Sequence, residues 1–307
     1  MENSKNVLIT GGAGFIGSHV SDLLIKKGYN VIVVDNLSSG CDSNLNKNAK
    51  FYNLDINSAD LKKVFEENKI DYVFHFAAQA NVSFSTRFPT VDATENILGS
   101  INILQLSKEY GVKKFIPAST AAVYGVPKSL PVDENHETVC LSFYGISKLT
   151  MEKYTQLFGV DYIIFRFANV YGPRQSAHGE AGVVAIFADK MKNNEDIIIH
   201  GDGEQTRDFV FVEDIAQACL KAIEKDVKNE IINVSTNKAI SINKLFEVMA
   251  KNYGYKKSPI YMEERFGDIK HSILDNKKCA KLLGVVPETS VEIGLETLIE
   301  DTVSSKR

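Results

Sequence analysis

The sequence predicts an α/β protein: a doubly wound parallel sheet with a smaller α/β lobe interleaved with it. Two observations carry this. Short β-rich apolar runs alternate with helical patterns through the first two thirds of the chain, and a glycine-rich turn joins the first run to the first helix. The strand runs are residues 7–10, 31–35, 71–77, 114–119, 162–167 and 231–234, and the helical patterns between them span 18–27, 59–67, 93–109, 145–158 and 213–223. Such alternation requires right-handed crossovers and a parallel sheet covered on both faces, with ligands beyond the carboxyl ends of the strands. After residue 171 glycine-rich loops take over, with a helix at 183–192, a short strand at 197–200 and a last helix at 291–301. Because the run at 231–234 belongs with the first sheet, the lobe boundary is discontinuous. Residues 1–167 with about 208–235 form the first lobe, and about 168–207 with 236–307 form the second.

Composition narrows the function. A chain of 307 residues, 44% of them hydrophobic, can build one large core or two lobes sharing an interface. A net charge of −4, with Lys and Arg scattered among Asp and Glu, provides no field for nucleic acid. The four cysteines, Cys41, Cys140, Cys219 and Cys279, are too far apart for a zinc knuckle or a redox pair, and read as reduced structural thiols. The histidines show no metal-ligand spacing, and His75, beside a strand end, reads as a packing residue. No run approaches the ~18 apolar residues of a membrane span, and the opening residues lack the parts of a secretion signal. The expectation is a cytoplasmic protein with no metal and no membrane contact.

The turn reads Gly11-Gly-Ala-Gly14-Phe15-Ile16-Gly17, directly after a strand and before a helix. Its three spaced glycines allow a tight turn, close approach of backbone to a pyrophosphate, and close packing of helix on strand, with the phosphates at the helix N-terminus. Asp35 closes the next strand, where a carboxylate accepts hydrogen bonds from an adenosine ribose and repels a ribose phosphate. The sheet is therefore of the Rossmann type and the predicted cofactor is NAD. Asn36, Ser38, Ser39 and Gly40 continue around the adenosine, and Asp55 and Ile56 flank the adenine.

Tyr144 and Lys148 share a helix face one turn apart. A free phenol titrates near ~10, and a neighbouring ammonium draws it toward neutral pH, so that Tyr144 can accept a proton from a substrate hydroxyl. Thr120, at the end of the strand at 114–119 and next to Ser119, supplies a hydroxyl to relay that proton. These motifs, together with His75-Phe-Ala-Ala-Gln-Ala80, Arg166-Phe-Ala-Asn-Val-Tyr-Gly172, Gly201-Asp-Gly-Glu-Gln-Thr-Arg-Asp208 and Arg265-Phe-Gly-Asp268, resemble the extended branch of the short-chain dehydrogenase/reductase superfamily over nearly the whole chain. Within that branch the chain is most similar to the UDP-glucose 4-epimerases.

The resemblance implies that Ala77, Ala78, Asn96, Lys148 and Phe167, with Phe76, Gln79 and Ser119, lie along the nicotinamide half of NAD. It implies a UDP-sugar partner: Arg207 and Arg265 match positions that hold the diphosphate, Asp268 a ribose contact, and Asn169 a further substrate contact. Gly182 and Val183 open a helix whose N–H groups can donate to a phosphate. Ser272 matches a position where a Tyr narrows the sugar pocket, so N-acetylated sugars are expected to fit. Ala121 and Ala122 stand where related dehydratases carry an Asp-Glu pair, which leaves no acid and base for elimination. The expected reaction is 4-epimerisation through a transient 4-keto sugar, with a UDP-glucuronate 4-epimerase as the neighbouring reading and a catalytically silent NAD sensor as the rival from another class. Relatives pair through helices such as 93–109 and 145–158, which implies a homodimer.

Overall fold

Val7, Leu8, Ile9 and Thr10 are fully buried, and three of the four are β-branched, so the run pairs on both edges and is covered on both faces. It forms β1 (Asn6–Thr10). The computed structural model describes residues 5–177, 182–264 and 269–304.

Next come α1 (Phe15–Lys26), β2 (Asn30–Asp35), the edge strand β3 (Lys50–Asn53), α2 (Leu61–Glu67) and β4 (Tyr72–His75). Two short helices, α3 (Val82–Arg87) and α4 (Pro89–Ala93), lead through a π-helical turn, Thr94–Leu98, into α5 (Gly99–Glu109). Then follow β5 (Lys114–Thr120), a 3-10 turn (Ala121–Val123), α6 (Phe143–Leu157), β6 (Ile163–Phe167) and β7 (Asn169–Tyr171). The chain continues through α7 (Val183–Lys192), β8 (Ile198–His200), β9 (Thr206–Arg207), β10 (Phe209–Phe211), α8 (Val212–Glu224) and β11 (Glu230–Val234). The remainder is β12 (Ile240–Ser241), α9 (Ile242–Tyr253), β13 (Ile260–Met262), β14 (His271–Ser272), α10 (Lys277–Leu283) and α11 (Val291–Ser304).

Seven strands form one parallel sheet in the order β11-β6-β5-β4-β1-β2-β3. Strand order reverses between β1 and β4, which opens a crevice at their carboxyl ends. Side chains alternate across the sheet: Val7, Ile9, Val33, Phe74 and Phe165 join one core with Val20 and Leu24 of α1 and Ile215 of α8, while Leu8, Val34, Val73 and Phe115 join another with Leu61 of α2 and Leu104 of α5. A third core gathers Tyr171, Phe187, Ile199, Phe211, Leu245, Met249 and Leu295 beneath the small sheets β12-β9-β14, β8-β13 and β7-β10.

Three expectations change in detail. The run at 71–77 ends as a strand at His75, because the N–H groups of Phe76 and Ala77 both turn back to Thr10 O, at 3.0 and 3.1 Å. The helix expected at 93–109 is three pieces, α4, the π-helical turn and α5. The chain after β11 also holds α9, α10 and several strands of two or three residues; α10 packs through Cys279 and Leu283 into the core of the large sheet beside β11 and α8. Among the described residues no helix is long and apolar enough to cross a membrane.

Candidate functional site

At the carboxyl end of β1 the chain turns through Gly11 with φ +72°, and a Cβ there would lie 2.6 Å from Ala77 N. A Cβ on Gly17 would collide with the Gly11 carbonyl oxygen. Glycine is thus required at both places, and Gly14 opens α1 without a side-chain cap. The first turn of a helix leaves N–H groups without intrahelical partners, so this end offers an anion a set of donors. Asp35, only 7% exposed, braces the turn: it accepts from Ala13 N at 3.0 Å and from Leu37 N at 2.8 Å.

A single cleft runs from this turn across the carboxyl ends of β2, β4, β5 and β6. Its walls include Gly11, Gly14, Phe15, Ile16, Gly17, Asp35, Asn36, Ser38, Ser39 and Ile56 at one end, and Phe76, Ala77, Ala78, Ser119, Thr120, Tyr144, Lys148 and Phe167 at the other. Four residues expected along the cofactor are not among those that line this cleft. Gly40 packs on Ala13 and Asp35, where a Cβ would sit 2.9 and 3.0 Å from their atoms. Asp55 accepts from Asn36 Nδ2 at 2.8 Å and from Asn57 N at 2.7 Å. Gln79 donates through Nε2 to Asp92 at 2.9 Å. Asn96, expected along the nicotinamide, is turned inward by the π-helical turn and is 1% exposed; it accepts from Gln79 N at 2.9 Å and donates to Gln79 O at 2.8 Å. It thereby holds the loop that carries Ala77 and Ala78.

α6 begins one residue before Tyr144 because Ser142 caps it, accepting from Gly145 N at 3.0 Å, while the buried Ser85 of α3 accepts from Tyr144 N at 3.1 Å. Gly145 brings the helix close: a Cβ there would be 2.9 Å from Ala122 O, in the turn that follows Thr120. Lys148 is 4% exposed, donates from Nζ to Ala118 O at 3.0 Å, and lies 6.0 Å from the centre of the Tyr144 ring. Thr120 Oγ1 accepts from Ala122 N at 3.2 Å and keeps its own proton to give. Ala121 and Ala122 bring no carboxylate to this corner.

On the far side, Asn169 is exposed on β7, Gly182 is the N-cap of α7 ahead of Val183, and Ser272 faces Arg207 in register between β14 and β9. Arg207 donates to Thr206 O at 2.9 Å. Arg265 and Asp268 lie outside the described residues. The cleft is also lined by Asn44, Glu95, Val170, Arg174 and Gln175, which sequence reasoning did not single out. Arg174 has φ +66° and pairs with Asp22 of α1 at 2.8 Å, and His19 of the same helix meets Pro173 O at 3.0 Å, so this loop is tied over α1. Its Pro-Arg directly follows the Tyr171-Gly172 motif, which was the available signal. Among the described residues no cluster of His, Cys, Asp and Glu could hold a metal ion.

A glycine turn at the switch point of a doubly wound sheet, sharing one cleft with a Tyr, a Lys and a Thr, defines an enzyme of the nucleotide-cofactor dehydrogenase type. Residues 7–235 match the NAD dependent epimerase/dehydratase family, and the chain belongs to it. Its cofactor is NAD, and the cradle fits: at Gly11 and Gly17 any Cβ would fill the space the turn needs. The chain is similar to the UDP-glucose 4-epimerase of Thermotoga maritima, solved with UDP-glucose, at 47% identity and a TM-score of 0.95, covering 98% of this chain and 100% of that one. It is similar to a UDP-N-acetylglucosamine 4-epimerase from Methanobrevibacter ruminantium, at 36% identity and a TM-score of 0.92, covering 98% and 99%. It is 37% identical to the UDP-glucuronate 4-epimerase of Thermodesulfobacterium geofontis over 95% of this chain and 94% of that one.

Proposed function

We propose that the chain is a UDP-sugar 4-epimerase acting on UDP-glucose and UDP-galactose, with room for the N-acetylated pair. The observation that carries this reading is the corner where Thr120, Tyr144 and Lys148 meet the cleft while the adjoining turn offers only Ala121 and Ala122. NAD, when bound, supplies a hydride acceptor and donor. The glycine turn and Asp35 would hold its pyrophosphate and adenosine ribose, with Asn36, Ser38, Ser39 and Ile56 around the adenosine and Phe76 to Ala78, Ser119 and Phe167 toward the nicotinamide.

Tyr144 takes the proton of the sugar 4-hydroxyl, with Lys148 stabilising the phenolate and Thr120 bonding to the same oxygen. The resulting 4-keto sugar has no neighbouring carboxylate to drive elimination, so it is reduced again. Arg207, the opening of α7 at Gly182 and Val183, and Asn169 would hold the diphosphate and sugar, with Arg265 and Asp268 assigned to the same task, so that the sugar turns its other face without leaving. Ser272 beside Arg207 leaves the small side chain that an N-acetyl group requires. The uronic substrate is the second reading, favoured by the 37% identical UDP-glucuronate 4-epimerase.

We also infer a cytoplasmic location and a homodimer, the dimer supported by exposed Val91, Leu98, Phe143, Ile146 and Leu157 on α4, the π-helical turn and α6. Purified protein with bound NAD should interconvert UDP-glucose and UDP-galactose with no net oxidation. Absence of interconversion across the UDP-glucose, N-acetylglucosamine and glucuronate pairs, read by chromatography, would refute the reading.

A further inference from the structure

Beneath the Thr120, Tyr144 and Lys148 corner lies a second layer of charge. Glu152 is wholly buried on α6, one turn beyond Lys148 and two beyond Tyr144. Its carboxylate accepts from Arg166 Nε at 2.9 Å, from Arg166 Nη2 at 2.6 Å and from the Ser119 hydroxyl. Arg166, on β6, stands in register with Ser119 of β5 and Asn233 of β11. Its guanidinium stacks 4.8 Å from the centre of the Tyr124 ring, and Tyr124 donates to Asn233 at 2.7 Å. This polar row crosses three strands one residue short of Thr120 and Phe167. A buried ion pair is a weak device for stability, since apolar replacements often hold a fold as well.

We propose that Glu152 and Arg166 are positioning residues: the carboxylate pins α6 through Ser119 to the strand that ends in Thr120, and the guanidinium cancels its charge so that Lys148 alone sets the field at the Tyr144 phenol. This rests on the reading of Tyr144 as the acid–base group. Glu152 is eight residues from Tyr144, about 12 Å at the helical rise. At an effective dielectric of ~20, an uncancelled unit charge at that distance moves a titration by about one pH unit. The other ionisable groups on elements packed against α6 are Arg87 of α3, Asp92 of α4, Glu95 of the π-helical turn, Lys108 and Glu109 of α5, Lys114 of β5, and Tyr124 and Cys140 of the loops around its start. His75 of β4 lies near Lys148, and Lys153 and Tyr154 belong to α6 itself. None of these is altered in the variants below.

The test uses the NAD-loaded enzyme. It follows the acid limb of kcat/KM with pH, and the phenolate absorbance of each variant minus that of the same variant carrying Tyr144→Phe. Glu152→Gln leaves Arg166 uncancelled and should lower the midpoint by about one pH unit, Arg166→Gln leaves Glu152 uncancelled and should raise it by a similar amount, and the Glu152→Gln/Arg166→Gln double variant should return it to the wild-type value. Opposite shifts that cancel are not produced by loosened packing. If one single variant fails to fold, the other and the double variant still decide. A folded single variant whose midpoint stays at the wild-type value or moves the opposite way overturns the proposal. If Tyr144→Phe keeps wild-type turnover, it is the underlying reading of Tyr144 that fails instead.

Discussion

His75 ends β4 with Nδ1 2.7 Å from Thr10 Oγ1 and Nε2 2.9 Å from Ser100 Oγ. Ser100 gives its proton to Asn96 O at 2.6 Å, so its oxygen accepts from Nε2–H. Burial, with Lys148 nearby, pushes the ring's pKa down to about 3, so it is neutral and its Nδ1 is left to accept from the Thr10 hydroxyl. The unfolded chain takes up the proton near ~6.5, so stability falls as pH drops from there toward 3, by about 1.4 kcal/mol per unit. Asp208 acts in the opposite sense. Burial raises its carboxyl to about 6 despite three hydrogen bonds from Thr236 and Asn237, so between its unfolded pKa of ~3.9 and 6 it costs stability as pH rises. A His75→Gln variant isolates the first contribution. Its loss of stability between pH 7 and 5, from urea titrations, should be smaller than that of wild type by about 2 kcal/mol; equal losses would contradict the assignment. The packing role of His75 was legible from its place at a strand end, but the inward turn of Asn96 was not, because it depends on a π-helical turn that leaves no mark on apolar spacing.

At the scale of elements, α6 is positioned by contacts at its first turn. Removing the cap with Ser142→Ala should cost about 1 kcal/mol of stability. Gly145→Ala is the sharper probe. In an open helix the change favours folding by up to about 1 kcal/mol, but here the new Cβ meets Ala122 O at 2.9 Å and must push the helix from the turn after Thr120. Turnover should fall about 10- to 100-fold, the scale of a 1 Å misplacement, with NAD affinity unchanged; wild-type turnover would show that the close approach has no catalytic use. The strands of the large sheet were readable because central parallel strands are covered on both faces and show as unbroken apolar runs. The edge strand β3, half-exposed at Phe51 and Tyr52, gives no such run, and β9, β12 and β14 are two residues each, too short to carry a period.

For the whole molecule, the proposed dimer rests on the exposed apolar residues of α4, the π-helical turn and α6. With Leu157 84% exposed and Leu98 56% exposed, wild type should sediment as a dimer, and Leu98→Asp with Ile146→Asp should sediment as a monomer. A monomeric wild type would remove the dimer from the account. The cofactor end of the cleft was largely legible in the sequence, since its residues follow strand ends in order. The substrate end was less so: its contributors come from loops distant in sequence, and Arg174 enters only because the loop after β7 folds back on α1.

β11 completes the large sheet by pairing with β6. Between those two strands the chain has already built β7, α7, β8, β9, β10 and α8. During synthesis, then, the outer edge of β6 stays without its partner until residues 230–234 have emerged, an open edge of the kind that recruits other chains. The nascent protein passes through its most adhesive state late, when nearly all of its nucleotide-binding half already exists.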